Sequence, residues 1–318
     1  MKEVFSKCLL LAVLGLVFFG INSQSLSAGE KCDRACLKGF LDGYLEALNA
    51  RDPSRLPVSK DVKYTENTVE IKLGEALWWG ATGLGGYKHY IIDPKTSQVG
   101  YIGVIMEHNI PVLMALRLKI RDDMICEIES YVARNGLLAS IPISPEMATR
   151  EALPIFSETL KPSERVSRDE MLRIANLYFE GIEANSGDIV PFDENCHRTE
   201  NGVYTANNPN PQKDDLMSAM SGMKAKDQFN VPGSMIWDIP ERRFWMVDEE
   251  KGLVIGAFVF STDGIMTPEA EARLADGASR EALAHNPVAE LFKIKNGRIY
   301  DIVAVLGPFF PYGSKTGW

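Results

Sequence analysis

Thr65-Glu66-Asn67 recurs as Thr199-Glu200-Asn201, which sets the two motifs at an offset of 134 (199 − 65). The helical segment before each motif carries an apolar stripe that repeats at the same offset. The stripe is Leu37, Phe40, Leu41, Tyr44, Leu45 and Leu48 in the first segment, and Met171, Ile174, Ala175, Tyr178, Phe179 and Ile182 in the second. An offset shared by helix, turn and strand without a gap predicts two copies of one domain.

Two later strand segments repeat at larger offsets. The stretch 89–93 matches 244–248 at an offset of 155 (244 − 89), and 118–120 matches 292–294 at an offset of 174 (292 − 118). The offset therefore grows by 21 (155 − 134) and then by a further 19 (174 − 155), which indicates two insertions in the second copy. We assign the later insertion to the stretch 262–287.

The order of elements in each copy is a helix, a short strand, an irregular segment and then long strands in hairpins. The first helix is predicted from about Arg34 to Ala50, and the second begins with a capping box at Ser167 and Glu170. Asp122-Asp123 and Asn296-Gly297 lie at matching hairpin turns. Gly80, Gly83, Gly85 and Gly86 are assigned to the irregular segment of the first copy.

This order predicts an α+β fold of two tandem cone-shaped domains, each a long helix packed on a curved antiparallel sheet. The domains are placed at residues 32–134 and 167–311, and the proline-containing stretch 135–166 is assigned as a linker.

The N-terminus has the pattern of a signal peptide over residues 1–28. Lys2 and Lys7 give a basic start, residues 8–19 are apolar, and small residues precede a cleavage site at Ala28. We expect a periplasmic or secreted protein without a stable membrane anchor after cleavage.

Composition narrows the range of partners. The chain has 318 residues, a hydrophobic fraction of 45% and a net charge of −9. The acidic balance argues against nucleic acid and against anionic membrane surfaces, both of which attract clustered Lys and Arg.

Four cysteines follow the predicted cleavage site: Cys32, Cys36, Cys126 and Cys196. Four cysteines allow three complete pairings, among which the sequence does not choose. Cys32 and Cys36 are close enough for a local bridge at the start of a helix, and reduced, buried cysteines are the alternative.

Motifs for metals, phosphates and activated serines are absent from the sequence. It contains no His-Glu-x-x-His, Cys-x-x-Cys, calcium loop, phosphate loop or Gly-x-Ser-x-Gly. We therefore expect no metal and no cofactor.

The chain resembles the nuclear transport factor 2-like superfamily, which includes ketosteroid isomerases, scytalone dehydratases and SnoaL-like polyketide cyclases. More narrowly, it is similar to an exported family with two such domains in tandem. The residues that carry the resemblance are 32–36, 64–67, 196–202 and the two closing hairpins. The resemblance implies that helix and sheet enclose an apolar, cone-shaped pocket.

In ketosteroid isomerases a carboxylate near the end of the first strand is the general base, and a Tyr on the first helix binds the developing oxyanion. The resemblance places Glu66 and Glu200 at the position of the base and Tyr44 and Tyr178 at that of the donor. The spacing from each Tyr to its Glu is the same, 22 (66 − 44 and 200 − 178). The structural alternatives are a turn role for the glutamates and core packing for the tyrosines.

His89 and His197 are further candidates for proton transfer. Strand alternation places His197 and Glu200 on opposite faces unless a bulge intervenes. Trp78, Trp79, Trp237 and Trp245 are candidate pocket walls, with core packing as the alternative.

Together these features predict a cofactor-free lyase, dehydratase or isomerase acting on a small, partly apolar molecule, with a slight preference for the first copy. The alternative is a non-catalytic module that binds a small molecule or another protein. The repeat further suggests a monomer whose copies pair about a pseudo-twofold axis, or else a homodimer.

Overall fold

The computed structural model describes residues 32–136, 141–211, 220–231, 238–261, 284–311 and 317–318. The predicted signal peptide, Trp237 and most of the second insertion lie outside these ranges. Among the described helices, none has the length and apolar character needed to cross a membrane.

The first copy contains two helices and six strands. They are α1 (Arg34–Ala50), β1 (Val58–Glu66), β2 (Val69–Glu70), α2 (Leu77–Gly80), β3 (Ala81–Asp93), β4 (Gln98–Glu107), β5 (Ile110–Arg121) and β6 (Met124–Ala133). Asp33 caps α1 by accepting a hydrogen bond from the Cys36 backbone N–H.

The described part of the connecting stretch holds one helical turn with α geometry, α3 (Pro154–Ser157). The second copy then comprises α4 (Arg168–Glu183), β7 (Phe192–Glu200), β8 (Val203–Ala206), α5 (Ala225–Phe229), β9 (Asp238–Asp248), β10 (Leu253–Ser261), β11 (Ala284–Lys295), β12 (Arg298–Leu306) and β13 (Phe310–Pro311). Ser167 caps α4 by accepting from the Glu170 N–H, but the Glu170 carboxylate binds Arg173, so one of the two contacts of the predicted capping box is seen among the described residues.

The two sheets have the same strand order, β2-β1-β6-β5-β4-β3 and β8-β7-β12-β11-β10-β9, with β13 added beside β11. Both are mixed sheets, because β1 runs parallel to β6 and β7 runs parallel to β12. The α+β class is confirmed, but the expectation of purely antiparallel sheets is wrong. Hairpin turns reveal the direction of consecutive strands and carry no signal for the pairing of the first strand with the last.

The third residue of the repeated motif closes each parallel strand pair. Asn67 and Asn201 both have φ of 48°, where asparagine is tolerated. The Asn67 side chain accepts from the Val132 N–H at 2.8 Å and donates to the Val132 carbonyl at 3.1 Å, and Asn201 makes the same two contacts with Leu306 at 2.9 and 3.5 Å. In each copy the asparagine amide therefore makes the two hydrogen bonds to the neighbouring strand that the backbone of one further strand residue would make.

Three details of the strands differ from or refine the prediction. Gly83, Gly85 and Gly86 lie inside β3, an edge strand, and not in an irregular segment. A Cβ on Gly85 would lie 2.7 Å from Val104, so glycine lets the two strands approach. Both predicted hairpin turns are confirmed by positive φ at their paired residues, Asp122-Asp123 and Asn296-Gly297.

A bulge in β9 limits the match of 89–93 with 244–248. Ile255 pairs with Met246 and Gly256 pairs with Phe244, so Trp245 is an extra residue. In the first copy Gly100 pairs with Ile91 and Tyr101 with Tyr90, without a skipped residue. The offset of 155 holds after the bulge, and Phe244 therefore corresponds to Tyr90 instead of His89.

Each sheet buries one face against its own helix and the other face against the other sheet. Tyr101 packs with α1 in one apolar cluster, whereas its neighbour Ile102 belongs to a cluster shared with β10 and β11. Strand alternation explains this division of one strand between two cores. A third cluster fills the space between α4 and the second sheet.

Two ion pairs of the same geometry join the copies. Arg34 on α1 binds Asp248 at the end of β9, with two N–O distances of 2.9 Å. Arg168 on α4 binds Asp93 at the end of β3, at 2.6 and 3.1 Å. Each carboxylate also accepts a backbone N–H across the junction, Asp248 from Ile92 and Asp93 from Val247, both at 3.1 Å. The contacts are reciprocal, as in an isologous interface.

The segments that follow the last strand of each copy cross to the other copy. After β6, the Ser144 N–H donates to the Asn201 carbonyl, and the Asn201 side chain donates to the Ile141 carbonyl. After β12, the Trp318 indole donates to Thr65 Oγ1 at 2.8 Å, and its ring lies under Lys63 and Arg117. Each copy thus covers the motif of its partner.

The cysteines resolve into one pair and two free thiols. Cys32 and Cys36 form a disulfide across the first turn of α1. Cys126 is half-buried and Cys196 is buried, and both are free. The local bridge is therefore the alternative that the structure supports.

The reciprocal ion pairs are expected to dominate the stability of the junction. Asp248→Ala should lower the free energy of unfolding by about 3 kcal/mol, because it removes the bidentate partner of Arg34, which keeps only Glu250 as an ion-pair partner among the described residues, and leaves the buried Ile92 N–H without an acceptor. Asp93→Ala should have a similar effect. Urea unfolding followed by tryptophan fluorescence measures both.

Lys38→Ala is the matched control for these variants, because Lys38 and Asp42 form an exposed ion pair on α1. Such a pair contributes about 0–1 kcal/mol. If Asp248→Ala were no more destabilising than Lys38→Ala, the junction would not depend on the reciprocal pairs.

Candidate functional site

A buried polar group lies between α4 and the second sheet. Tyr178 on α4 donates through its hydroxyl to Oε1 of Glu290 on β11 at 3.3 Å. Glu290 is 2% exposed and Tyr178 is 1% exposed. The second oxygen, Glu290 Oε2, has no hydrogen-bond partner among the described residues. A buried carboxyl with one free oxygen is unusual and marks this interior as a candidate site.

Arg198 and Glu200 lie beside this pair on β7. Arg198 Nε is 3.2 Å from Glu200 Oε1 and 3.1 Å from Thr205 Oγ1, and Nη2 donates to Gln228 Oε1 at 3.1 Å. Residues two apart on a strand share a face, which places both charged side chains on the interior side. The interior thus contains one cation, one ion-paired carboxylate and one further carboxyl.

Burial raises the pKa of Glu290 from 4.5 to about 8, and the negative charge of Glu200 adds to that rise. Glu290 is therefore mainly protonated at neutral pH. Burial also raises the pKa of Tyr178 well above its usual value, so the phenol stays a donor. Two neutral donors consequently face the same interior as an ion-paired carboxylate.

Aromatic rings surround the polar group. The Tyr178 ring lies 5.2 Å from Phe292, 5.5 Å from Phe229 and 6.2 Å from Phe192, measured between centroids. Phe179 and Phe258 stack nearby at 4.1 Å. The polar group therefore lies in apolar, aromatic surroundings of low dielectric.

The first copy lacks most of this arrangement. Leu116 and Tyr64 stand where the second copy has Glu290 and Arg198, by the offsets of 174 (290 − 116) and 134 (198 − 64). Glu66 Oε1 lies 2.8 Å from Arg134, and Oε2 accepts from the Leu77 N–H at 3.1 Å and from the Tyr64 hydroxyl at 3.3 Å. These partners hold the Glu66 carboxylate in a structural role at the start of α2.

The first-copy tyrosine is packed in the core. Tyr44 meets the Trp78 ring at 5.3 Å in an edge-on contact, and both residues are 1% exposed. Burial raises the pKa of Tyr44. The structure therefore brings Glu66, Tyr44 and Trp78 to one end of the first interior, where large side chains fill the space.

The two histidines lie away from both interiors. His89 is on the face that packs between the sheets, with ring centroids 4.7 Å from Tyr87 and 4.8 Å from Phe156. Burial lowers its pKa to about 4, so it is neutral. The structure does not bring His89 together with Glu66 or Tyr44.

His197 faces away from Glu200, as strand alternation predicts. Its Nδ1 lies 3.9 Å from Asp301 Oδ2, and its ring lies 5.8 Å from Tyr204. Burial raises the pKa of Asp301 to about 7 and lowers the pKa of His197. This pair forms a separate polar group on the face of the second sheet that lies away from α4, the face that Val303 and Val305 share with the first sheet.

The tryptophans do not form a pocket wall in the described structure. Trp79 is 70% exposed, and Trp245 packs between the sheets with its ring 5.7 Å from Tyr131. Trp78 fills the first interior, and Trp237 lies outside the described residues.

Glu290, Arg198 and Gln228 are the site residues that sequence reasoning missed. A signal for Glu290 was present, since it is the one charged residue in the apolar run Val288-Ala289-Glu290-Leu291-Phe292. A carboxyl in a strand that is apolar on both faces must be buried. Arg198 and Gln228 carried no comparable signal, because isolated polar residues near a turn are common.

Comparisons with known proteins add a family match and two structural similarities. Residues 164–306 match the model of a family described as a domain of unknown function, DUF8021, which coincides with most of the second copy. A search of curated proteins found no match.

Among solved structures, the chain is similar to a protein of unknown function with a cystatin-like fold from Methylobium petroleophilum PM1. The identity is 11%, the TM-score is 0.29, and the match covers 47% of this chain and 84% of the other. It is also similar to a "putative ketosteroid isomerase" from Kribbella flavida DSM 17836, at 10% identity and a TM-score of 0.27, over 38% of this chain and 99% of the other.

Proposed function

We propose that the second copy binds a small, partly apolar molecule in a cone-shaped interior and moves a proton on it, as a cofactor-free isomerase, dehydratase or lyase does. The observation that carries the proposal is the buried Glu290 carboxyl, which shares the interior with Tyr178 and with the Arg198–Glu200 ion pair. Two carboxyl groups in different environments, one protonated and one ionised, provide an acid and a base.

Each residue has a distinct role in this proposal. Glu200 is the base, because it is the carboxylate that shares this interior with Glu290, with its Oε1 3.2 Å from Arg198 Nε. Protonated Glu290 donates a hydrogen bond to a substrate oxygen on which negative charge develops, and Tyr178 turns its one O–H from Glu290 Oε1 to the same oxygen. Ketosteroid isomerase divides the work in the same way, between a carboxylate base and a pair of neutral donors made of a Tyr and a protonated carboxyl.

The reaction balances with these groups alone. Glu200 takes a proton from a carbon next to a carbonyl. The electron pair of that C–H bond forms a C=C bond, and the π pair of the C=O bond moves to the carbonyl oxygen. Tyr178 and Glu290 stabilise the resulting enolate in a site from which water is excluded. Where the substrate carries a β,γ double bond, the enolate is a dienolate, and return of the proton to its γ carbon gives the conjugated isomer.

The slight preference for the first copy is replaced by a proposal for the second. Glu66 is held by Arg134, Leu77 and Tyr64, and Leu116 replaces the second carboxyl. In this proposal the first copy is a structural partner that supplies the reciprocal contacts of the junction.

A non-catalytic binding or interaction module is the second candidate. The observation that favours it is the packing of both interiors, where Trp78 and Phe229 are buried against Tyr44 and Tyr178. A module of this kind would show no proton exchange on any bound ligand.

Export and oligomeric state are part of the proposal. The N-terminal pattern and the Cys32–Cys36 disulfide support an oxidising compartment, periplasmic or extracellular. The reciprocal contacts between the copies support a monomer with internal pairing. A scattering mass of two chains would contradict the monomer.

The protonation of Glu290 predicts a pH-dependent stability difference between the wild type and Glu290→Gln. The folded-state pKa of about 8 exceeds the ordinary value of 4.5. The folded chain therefore keeps a proton that the unfolded chain loses in this window. The free energy of unfolding of the wild type, relative to the variant, should fall by about 1.4 kcal/mol per pH unit from pH 4.5 to 8.

Denaturant titrations at several pH values measure this difference. Glu46→Gln is the control, because Glu46 is exposed on α1. The difference in free energy of unfolding between the wild type and this variant should not change with pH. If the difference in free energy of unfolding between the wild type and Glu290→Gln were also independent of pH, Glu290 would be ionised in the folded protein. The assignment of Glu290 as the acid would then be wrong.

The mechanism predicts catalysis of hydrogen–deuterium exchange next to a carbonyl group. In D2O the wild-type protein should exchange the methyl protons of acetophenone or the ring protons next to the carbonyl of cyclohexanone, followed by NMR. Glu200→Gln and Glu290→Gln should each lower the rate by about 100-fold or more, because a positioned acid or base contributes that much. Tyr178→Phe should lower it less.

Glu66→Gln distinguishes the copies in the same assay. Loss of exchange in Glu66→Gln, with exchange retained in Glu200→Gln, would move the site to the first copy. Exchange at the full rate in both Glu200→Gln and Glu290→Gln would refute the mechanism.

A further inference from the structure

The start of α1 carries a disulfide that the start of α4 lacks. The offset of 134 places Val166 and Glu170 at the positions of Cys32 and Cys36 (166 − 32 and 170 − 36). Helix α4 nevertheless begins at Arg168, the equivalent of the first residue of α1. A helix start of this kind therefore forms without a disulfide.

Non-covalent contacts already fix the start of α1. Asp33 caps the helix by accepting from the Cys36 N–H at 2.8 Å. Arg34 binds Asp248 through two contacts of 2.9 Å, and Leu37 is fully buried in the first core. The disulfide joins residues only 4 apart in the sequence, and so short a loop constrains the unfolded chain weakly. The bond is therefore dispensable for holding the helix in place.

A surface groove of about 250 Å³ lies beside the disulfide. Cys36, Gly39, Phe40 and Gly43 of α1 line it together with the segment 55–57. A Cβ added to either glycine would meet no atom within 4 Å, so both glycines face open space. Phe40 and the leucine and proline of the segment give the groove apolar walls.

The second copy has bulky residues in place of both glycines. By the offset of 134, Arg173 and Leu177 correspond to Gly39 and Gly43 (173 − 39 and 177 − 43). Glycine inside a helix is less stable than alanine, so the two glycines weaken α1. The room that they leave beside the disulfide is a reason for their presence. The disulfide and the glycines thus occur together in the first copy, and neither occurs in the second.

We propose that Cys32–Cys36 is a redox-active disulfide that oxidises cysteine thiols of extended polypeptides, and that the groove binds the apolar side chain next to the reacting cysteine. The glycines let a peptide backbone approach α1 closely. The site belongs to the first copy, and it does not depend on proton transfer in the second.

Cys36 is the sulfur that is attacked, because it lines the groove, whereas Cys32 packs against the core beneath α1. A substrate thiolate bonds to Cys36 Sγ, the bond to Cys32 breaks, and its electron pair leaves on Cys32 Sγ. A second substrate thiolate attacks the substrate sulfur of this mixed disulfide and releases the Cys36 thiolate. Two substrate thiols thereby become one disulfide, and their two electrons and, through solvent, two protons pass to the two cysteines.

The position of Cys32 favours its departure. Cys32 immediately precedes the N-cap Asp33 and is bonded to the first turn of a helix of 17 residues. The positive end of a helix lowers the pKa of a nearby thiol, and a thiol of lower pKa leaves faster. The Asp33 carboxylate opposes this effect, but it is exposed, and solvent weakens its charge.

The substrate probe is the reduced peptide N-acetyl-Leu-Cys-Leu-amide, and its matched control is N-acetyl-Ser-Cys-Ser-amide. Each is mixed with the oxidised full chain in the absence of oxygen. Alkylation and mass spectrometry measure the rate at which Cys32–Cys36 is reduced. Division by the rate of the same peptide with glutathione disulfide corrects for the intrinsic reactivity of its thiol. The corrected rate should be about tenfold or more higher for the leucine peptide, because its side chain is buried in the groove.

Gly43→Leu fills the groove with the residue that the second copy has at this position. The variant should lose the preference for the leucine peptide and keep nearly the wild-type rate with the serine peptide. Since no atom lies within 4 Å of the added Cβ, the variant is expected to fold. Asn49→Leu is the matched control, because Asn49 is exposed on α1 outside the groove. It should keep the full preference.

Cys32→Ser and Cys36→Ser test which sulfur is attacked. Each variant is mixed with the disulfide-linked dimer of the leucine peptide, and peptide mapping distinguishes an adduct on the remaining cysteine from one on Cys126. Cys32→Ser should form the mixed disulfide through Cys36 faster than Cys36→Ser forms it through Cys32. Equal rates, or the reverse order, would contradict attack from the groove and overturn the inference.

Three further results would overturn it. Equal corrected rates for the two peptides, or a preference that survives in Gly43→Leu, would show that the groove does not bind the substrate. Resistance of Cys32–Cys36 to both peptides, with reduction by dithiothreitol only in urea, would show an inert bond. Loss of near-ultraviolet circular dichroism in the reduced chain would show that the disulfide holds the fold.

Discussion

The rest of the structure depends on the reciprocal ion pairs Arg34–Asp248 and Arg168–Asp93. Each carboxylate is almost fully buried and takes a guanidinium and a backbone N–H from across the junction. Neither copy could keep its aspartate buried alone, because a buried carboxylate without partners is strongly unfavourable. The two sheets are therefore held face to face as one unit, and each helix is fixed to the sheet of the other copy through its first turn.

This constraint explains why the two interiors were free to differ. The junction uses residues at helix starts and strand ends, and the crossing segments after β6 and β12 cover the repeated motifs from outside. None of these contacts involves the positions of Glu290 or Leu116, which face the helices. An exchange of Leu for Glu at that position alters the interior of one copy and leaves the junction unchanged.

Repetition made much of the fold predictable from the sequence. The offsets of 134 and 174 agree with the register, since Thr65 pairs with Glu129 and Thr199 pairs with Val303. The parallel pairing of β1 with β6 and the bulge at Trp245 were not predictable, because neither leaves a mark in hydrophobic periodicity. Arg34 and Arg168 are related by the same offset of 134 (168 − 34), but equal spacing does not reveal that each arginine binds the opposite copy. In the candidate site, Tyr178 followed from the repeated helical stripe and Glu200 from the repeated motif, whereas Glu290 was missed although it is the one charged residue of the apolar run 288–292.

The chemistry of Glu290 argues that it serves more than packing. A leucine fills the equivalent position in the first copy, and a glutamine would accept the same hydrogen bond from Tyr178 without any cost of keeping a proton. The carboxyl instead leaves Oε2 without a partner among the described residues and makes stability fall as pH rises. A group that lowers stability at neutral pH is expected where proton transfer or ligand binding restores the balance.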